Sequence, residues 1–397
     1  MPVWHARTQE LRDSGDLVVI GVTQEQHPDR TRLFAQWQQF DWPILWDPFN
    51  LTGAKAVPLY RLVDEHGVVR ETRVRPDALG AFLAHEHEPP ASGGSIDYVP
   101  SESREQLVQL DGSGDEGERA LWGALSAALW GGPDVLDGVV RTLGEHLAAH
   151  PDDAPTHFRH GVALRMRHDS DARQPGDFQA ALDAWSRALE IDPNQYIWRR
   201  RIQQYGPRLD KPYPFYNWIE QAQAEVRERG EEPVDVRVAL TGAERVSRGN
   251  FRSSQDEVEP DPGARIRGDG VELIELESAV AFDTTREHPI ARVHLEFRPA
   301  ADGDAHWNNE AEPMLVWLGS DALPAGVELE RRLFELEAPA EPVSDEVRVV
   351  DFEVRLPEGR SESLLLEGYA LFNACRGESG QCLYLRADFS VVLTPQG

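Results

Sequence analysis

Alternation between apolar and polar positions characterises the C-terminal part of the chain and predicts β-strands there. In the segments Arg292–Arg298 and Val350–Leu356, charged residues alternate with apolar ones, which gives each strand one face for a core and one for water. Clusters of proline, glycine and aspartate separate the runs. The predicted strands span 234–240, 271–283, 290–298, 313–318, 326–337, 346–355, 363–373 and 382–394. Many short strands separated in this way indicate an antiparallel β-sandwich over 233–397.

The last two of these strands carry a paired motif. One apolar run ends at Cys375 and the next begins at Cys382; these are the only two cysteines of the chain. The polar link between them, Arg376–Gln381, contains two glycines. The pattern predicts a β-hairpin that sets the cysteines nearly opposite each other. Their Cα atoms should then lie within the range of about 4.4–6.8 Å that a disulfide requires.

Three interpretations of this pair stay open from the sequence. The cysteines could pack as two small hydrophobic residues that never oxidise. A structural disulfide across so short a ring would stabilise the fold by about 2–3 kcal/mol. Reversible thiol–disulfide exchange is the alternative, because both cysteines border a polar turn that a partner thiolate can reach. Arg376 would favour the thiolate of Cys375 if its side chain points inward, whereas Glu378 would oppose it.

A second polar segment offers side chains that could assist the cysteines. His306, Trp307 and Glu310 lie in a predicted loop, rich in glycine and aspartate, that precedes a strand. Polar residues in such loops usually cap turns. The alternative is that these residues line the mouth above the cysteines, where His306 or Glu310 would move a proton.

Apolar spacings of three and four residues replace the alternation in the middle of the chain and predict helices. The preceding segment 88–116 is rich in proline, glycine and serine and is predicted to be a linker. The helical region then covers 117–230. Its predicted helices span 117–131, 133–149, 154–168, 176–191, 195–204 and 216–229.

Both kinds of pattern occur in residues 1–87 and predict a small α/β domain. Helices are expected over 3–14 and 28–40, and the β-branched run Leu17–Val22 predicts a buried strand. Further on, Ala56–Asp64, a turn at Gly67 and a second short strand form a predicted hairpin.

Charge and composition narrow the classes of partner. The formal net charge is −29, and Lys55 and Lys211 are the only lysines, which argues against binding to nucleic acid or to an anionic membrane. No apolar run approaches the roughly 18 residues that would cross a bilayer. The first residues lack the basic and apolar regions of a secretory signal. We therefore expect a cytoplasmic protein, with export as the alternative if the true start lies upstream.

A short histidine-rich segment is the remaining candidate for a metal site. His85 and His87 alternate with Glu86 and Glu88 just before the linker. Because no further ligand is near in the sequence, we expect a solvated tail and no bound metal. No cofactor motif is recognised elsewhere.

The cysteine hairpin resembles the N-terminal, immunoglobulin-like domain of the DsbD family of thiol:disulfide interchange proteins. In that family the paired cysteines lie on a hairpin and a Cys-Tyr motif follows. Here Leu383 separates Cys382 from Tyr384, and the gap between the cysteines is one residue longer. The resemblance implies an immunoglobulin-like sandwich that exchanges its disulfide with another thiol or disulfide protein, with Tyr384 as a supporting residue; Arg376 is a second supporting candidate because of its charge.

The N-terminal region resembles the thioredoxin-like fold of the redoxin and TlpA-type families. The resemblance rests on the order of elements over 3–85, on Val57-Pro58 before a strand, and on the hairpin that ends in Val68-Val69. It implies a cis peptide bond at Pro58. The family's first central strand and its catalytic cysteine are missing, since no cysteine precedes Cys375. This domain is therefore expected to bind or support and not to perform thiol chemistry.

The helical region resembles tetratricopeptide repeats. Phe158, Gly161, Ala163 and Leu164 match the first helix of a repeat, and the positions Ala180, Ala181, Ala184, Ala188, Leu189 and Pro193 match the second helix. The resemblance implies a groove for a peptide or protein client, although so short an array also suits a spacer.

Taken together, the sequence predicts a three-part chain: an incomplete thioredoxin-like domain, tetratricopeptide-like hairpins and an immunoglobulin-like sandwich. The expected function is thiol–disulfide exchange or redox-linked protein handling through the cysteine pair. The alternative is a noncatalytic binding scaffold with a structural disulfide.

Overall fold

The structure is a computed structural model of the whole chain. It describes residues 2–55, 57–72, 74, 79–89, 116–205, 218–236, 257–266, 268, 270–283, 288–300, 305–319, 323, 325–359, 362–377 and 382–394. The chain divides into two compact units. The first unit comprises Met1–Arg173, Asp183–Arg201 and Phe215–Ala239, and the second comprises Gln174–Leu182, Ile202–Pro214 and Leu240–Gly397.

The first unit begins with short α/β elements. Its helices are α1 (Pro2–Asp13), α2 (Pro28–Trp37) and α3 (Leu79–Leu83), and its strands are β1 (Gly21–Thr23), β2 (Ile44–Trp46), β3 (Leu62–Val63) and β4 (Val69–Glu71). Strands β1 and β2 pair in parallel, whereas β3 and β4 form a separate antiparallel pair. The Val57–Pro58 peptide bond is cis, as predicted.

The prediction of a buried strand over 17–22 is wrong in its extent and its burial. Strand β1 begins only at Gly21, and the side chains of Val18, Ile20 and Val22 are 76%, 55% and 49% exposed. The reason is that β1 pairs only with β2 among the described strands. A two-stranded sheet cannot bury both faces of a strand, whatever its hydrophobicity.

Helices α4 to α9 have nearly the predicted bounds. They span Glu116–Trp130, Leu136–Ala149, Ala154–His168, Asp177–Ile191, Tyr196–Tyr205 and Trp218–Glu228, and a 3-10 turn occupies Pro133–Val135. Asp153 caps α6, because its side chain accepts a hydrogen bond from the backbone N–H of Thr156. Most of the small and apolar residues that match the repeat pattern are buried: Phe158, Gly161, Ala163, Leu164, Ala181, Ala184 and Ala188.

A buried arginine links the N-terminal segment of the first unit to its helices. Arg201, at 1% exposure, donates to the carbonyl oxygens of Gln24 (2.6 Å) and Pro48 (3.0 Å), and it also donates to the side-chain oxygen of Gln26. Gln26 in turn donates to the carbonyl oxygen of Val162 at 2.9 Å. These bonds satisfy the backbone groups of a segment that has little regular structure of its own.

The second unit is built from antiparallel strands. They are β5 (Ile274–Asp283), β6 (Ile290–Pro299), β7 (Ala305–Asn308), β8 (Met314–Leu318), β9 (Glu328–Leu329), β10 (Leu333–Leu336), β11 (Val343–Ser344), β12 (Arg348–Arg355), β13 (Leu364–Arg376) and β14 (Cys382–Leu393). The strand predicted over 326–337 is interrupted, since β9 and β10 lie in different sheets. Of the segment predicted as a strand over 234–240, residues 234–236 are not in a strand and the rest lies outside the described residues.

Two sheets face each other across one core in this unit. The smaller sheet has the order β5-β6-β12-β9, and the larger has the order β10-β8-β13-β7-β11 with β14 also paired to β13. Residues of both sheets enter the same hydrophobic cluster, among them Phe297 and Phe352 from one and Trp307 and Phe372 from the other. The antiparallel sandwich predicted from alternation is therefore present, while its immunoglobulin-like character stays a prediction.

Charged residues cover the outer face of the smaller sheet. His294 is fully buried there; its Nδ1 lies 2.7 Å from an oxygen of Asp351 and its Nε2 lies 3.1 Å from an oxygen of Glu296. Arg292 forms an ion pair with Glu353 at 3.3 Å on the same face. Alternation places these side chains on the face opposite the core. The sequence pattern predicted that this face meets water, and the prediction is wrong for these residues, because they are buried as a layer of ion pairs.

Candidate functional site around Cys375 and Cys382

The two cysteines form the predicted disulfide. Cys375 and Cys382 are directly opposed in the register of β13 and β14, their sulfur atoms are bonded, and their Cα atoms are 4.0 Å apart. This distance lies just below the predicted range. The hairpin register therefore brings the pair together, as the apolar pattern of the two strands indicated.

The disulfide lies on the outer face of the larger sheet. Side chains alternate between the faces of a strand; Phe372 and Ala374 belong to the hydrophobic core, so Cys375 points to the other side. The two cysteines differ in exposure. Cys375 is only 2% exposed, whereas Cys382, at the start of β14, is exposed. A partner molecule therefore reaches Cys382 more readily than Cys375.

His306 lies next to the disulfide. The expectation of a loop around His306 is wrong, because residues 305–308 form strand β7. In the register of β7 with β13, His306 is opposite Cys375 and Trp307 is opposite Ala374. Trp307 points into the core, and its indole N–H donates to the carbonyl oxygen of Glu346 at 2.9 Å. The anchored Trp307 fixes His306 on the outer face, beside Cys375.

Glu310 does not lie with His306 and Cys375 on the outer face of the sheet. It follows β7 in a turn, where its backbone N–H donates to the side-chain oxygen of Asn308 at 3.1 Å. Its own side chain is exposed. For Glu310, the geometry favours the turn interpretation over the proton-transfer one.

Tyr384 shares the outer face with the disulfide. It lies two residues after Cys382 and opposite Asn373, so Leu383 is the residue that faces the core. The side chain of Asn373 donates to the carbonyl oxygen of Glu312 at 3.2 Å. A tyrosine directly after the cysteine would point to the opposite face. The one-residue separation in this chain thus places the ring on the same face of the sheet as the disulfide.

Arg376 lies on the opposite side of the strand. As the neighbour of Cys375 in β13, it alternates to the core side at the exposed end of the strand. This alternation does not favour an Arg376 side chain that points toward the sulfur, and the effect of Arg376 on Cys375 stays a prediction. Glu378 lies outside the described residues.

A packed segment borders the site further along β14. Arg386 forms an ion pair with Asp261 at 3.0 Å, and its guanidinium lies 3.7 Å from the ring centroid of Tyr369. Burial alone would raise the pKa of Asp261, but the hydrogen bonds from Arg386 and from the backbone hold it below its usual value. Burial raises the pKa of Tyr369 to about 12. Asp261 and Arg386 therefore pack beside Tyr369 on the outer face, further along β13 and β14 than the cysteines.

The other candidates add no chemistry to this site. His85 and His87 lie close to each other, with ring centroids 4.8 Å apart, but no group of three metal-ligating side chains occurs in the described part of the chain. Pro58 belongs to the first unit. Among the described helices, none is long and apolar enough to cross a membrane.

Comparison with known proteins leaves the chain without a family. No family model matches it, and the curated proteins contain no significant match. The resemblances to DsbD-type, thioredoxin-like and tetratricopeptide proteins therefore rest on the residues quoted above.

Sequence reasoning missed two features of the site. It did not identify Asn373, and it did not anticipate that a distant segment around Asp261 docks onto Arg386. A period of two counted from Cys382 reaches Tyr384, Arg386 and Asp388, and this count would have placed all three on one face. The local sequence does not predict the contact with Asp261, because this residue is 125 positions away from Arg386 in the chain.

Proposed function

We propose that the protein carries out thiol–disulfide exchange through Cys375 and Cys382. The observation that supports this most is the asymmetry of the pair, with one cysteine residue exposed at a strand end and the other buried. Exchange requires a thiolate to approach one sulfur while the other leaves. An exposed Cys382 and a sheltered Cys375 suit these two roles.

The proposed reaction begins with a partner protein that carries two thiols. Its thiolate attacks the sulfur of Cys382, a bond forms between the two, and the bond between Cys382 and Cys375 breaks. The electron pair leaves with the sulfur of Cys375, which becomes a thiol by taking up a proton. The second thiolate of the partner then attacks the mixed disulfide and releases Cys382. The partner is oxidised by two electrons, and the cysteine pair is reduced.

His306 is the proposed proton donor. A thiolate on buried Cys375 would lie in a poorly solvated place, which disfavours the charged form. Because His306 faces Cys375 across the two strands, its protonated imidazole can deliver a proton to the departing sulfur. In the reverse direction the neutral ring can accept that proton.

The remaining regions are proposed to serve binding. A thioredoxin-like region without a cysteine can hold a peptide but cannot exchange thiols. The helices that resemble tetratricopeptide repeats would hold a client or act as a spacer. The resemblance to DsbD-type domains supports the redox assignment, while the different spacing around Tyr384 indicates a different partner surface.

Redox titration of the full chain tests the proposal. Because the chain has only these two cysteines, counting alkylated thiols reads the pair alone. In glutathione and dithiothreitol buffers we expect half-reduction between about −270 and −120 mV, the range of known oxidoreductases. A bond that stays closed down to about −300 mV would instead indicate a structural disulfide.

The role of His306 has its own test. His306→Gln should slow reduction by a small dithiol about tenfold and flatten the dependence of that rate on pH, because a general acid is lost. Asn308→Gln on the same face is the matched control and should leave the rate within about twofold. Equal rates and equal pH profiles for the wild type and His306→Gln would refute the assignment.

The rival function is a noncatalytic scaffold. The near-complete burial of Cys375 favours this function, since a disulfide with one buried cysteine is also typical of a structural bond. The titration separates the two functions, because a structural bond resists reduction across the whole range.

A further inference from the structure

Strand β14 lies at one edge of the larger sheet. In the described part of the chain, β14 pairs only with β13. At Arg386 the 3-10 turn Gly270–Glu272 packs against β14: a Cβ atom added to Gly270 would lie 2.7 Å from the carbonyl oxygen of Arg386. The first residues, Cys382–Leu385, precede this cover. Backbone groups at such an edge are a template for a further strand.

An exposed tyrosine and an exposed glutamate lie beside this edge. Tyr384 is 39% exposed and lies on the same face as exposed Cys382. Burial, together with the negative charges of Glu312 and Asp261, raises the pKa of the Tyr384 hydroxyl. Of these two carboxylates, Asp261 is balanced by its ion pair with Arg386. Glu312 is exposed, and its backbone carbonyl oxygen accepts a hydrogen bond from Asn373, the residue opposite Tyr384, so Glu312 supplies the negative charge beside this edge. A partner with positive charges next to an aromatic or aliphatic side chain complements this surface.

We propose that the edge of β14 at Cys382–Leu385 binds an extended, positively charged segment of a partner protein that carries the attacking cysteine. This inference rests on the proposed exchange reaction and names the kind of partner that performs it. Backbone hydrogen bonds to the edge would align the segment. Directly opposed residues of paired strands have Cβ atoms about 4.5–5.5 Å apart, so this pairing brings the two sulfur atoms within reach.

The alignment has a chemical consequence for specificity. Alternate residues of an added strand direct their N–H groups toward the edge, and the residues between them direct theirs away. Methylation of the backbone nitrogens in one alternate set therefore removes the bonds to β14, while methylation in the other set leaves them in place. A partner that reaches Cys382 without forming a strand would respond equally to both.

The test uses full-length protein with Cys375→Ala, which leaves Cys382 as a single thiol. The probes are eight-residue β-prone peptides with lysine flanks, whose central cysteine is blocked as a disulfide with thionitrobenzoate. The Cys382 thiolate attacks the peptide sulfur, and thionitrobenzoate leaves with the electron pair and is measured by its absorbance. Wild-type protein reduced with dithiothreitol and then desalted is the second preparation, in case the variant folds poorly.

We expect one N-methylated peptide to react about tenfold more slowly than the parent and the other to stay within about twofold. A peptide with glutamate flanks should also react about tenfold more slowly, and this difference should shrink in high salt. Glu312→Gln should reduce the preference for lysine flanks, whereas the control Glu328→Gln, on the smaller sheet, should preserve it.

Equal rates for both N-methylated peptides would overturn the edge proposal, and so would equal rates for lysine and glutamate flanks. With the Cys375→Ala protein, neither result depends on whether the wild-type disulfide is reducible, because Cys382 is already a thiol. A failed redox titration with register-dependent peptide reactions would refute the exchange function alone. A successful titration without register dependence would refute the edge proposal alone.

Discussion

The buried histidine of the smaller sheet should make the stability of the second unit depend on pH. Burial lowers the pKa of His294, but the charge of Asp351 and the hydrogen bonds to Asp351 and Glu296 outweigh burial and raise the pKa to about 9. The ring of Phe178, with its centroid 5.2 Å from that of His294, and the guanidinium of Arg298, which donates to Glu296, also lie near the imidazole. The folded state therefore holds a proton that the unfolded chain releases more easily.

The magnitude follows from the difference in pKa. An ordinary histidine has a pKa near 6.5, so the shift to about 9 corresponds to roughly 3 kcal/mol of stability. Because the pKa in the folded state is raised, this contribution is fully present below about pH 6.5. It decreases as the pH rises and is lost once the pH passes about 9.

Replacement of His294 by glutamine should remove this dependence. We expect His294→Gln to lower the free energy of unfolding by about 3 kcal/mol at pH 6, and by much less at pH 10. Hydrogen exchange of peptides from β6 and β12, followed in a urea series, measures the free energy of unfolding of the second unit. Wild type and variant are compared at equal pH, because the intrinsic exchange rate itself depends on pH. His288→Gln, at an exposed position just before β6, is the matched control.

A pH-independent difference between wild type and His294→Gln would refute this reasoning. It would mean that the variant loses only packing, and that the imidazole does not bind its proton more tightly when folded. A difference that grows with pH would contradict the assigned sign.

Three further predictions concern the disulfide and the first unit. The Cys375→Ala/Cys382→Ala variant should lose about 2.5 kcal/mol of stability in urea unfolding, from the chain entropy of an eight-residue ring; an unchanged midpoint would contradict the entropic estimate. The same variant should have no activity in insulin reduction, since no thiol remains in the chain, and residual turnover would reveal another mechanism. Arg201→Met should destabilise the first unit by about 3 kcal/mol because buried carbonyl oxygens lose their donor, whereas Arg199→Met at an exposed position should cost less than about 0.5 kcal/mol; thermal melting should separate the two.

The local sequence pattern was sufficient to predict the structure of a segment wherever interactions within that segment determine it. The helix Ala154–His168 has the predicted bounds because Asp153 caps its start, and a cap is a local interaction. Likewise, the opposition of Cys375 and Cys382 follows from two alternating runs and a short polar link. The disulfide could therefore be predicted from the sequence.

The tertiary structure decided what depends on residues far apart in the chain. Val18 and Ile20 belong to an apolar run that predicts burial, but β1 pairs only with β2 among the described strands and their side chains stay exposed. His294 has the polar position of an alternating strand, yet it is buried because neighbouring strands and Phe178 cover it. Burial is a property of what packs against a face, and alternation specifies only that two faces exist.

The same distinction applies to the candidate site. Alternation from Cys382 can place Tyr384 on the outer face, but only the pairing of β7 with β13 sets His306 opposite Cys375. That pairing joins strands almost seventy residues apart, and its register depends on the burial of Trp307 in the shared core. The sequence alone therefore determines the bond, and the packing of the sheets determines which side chains surround it.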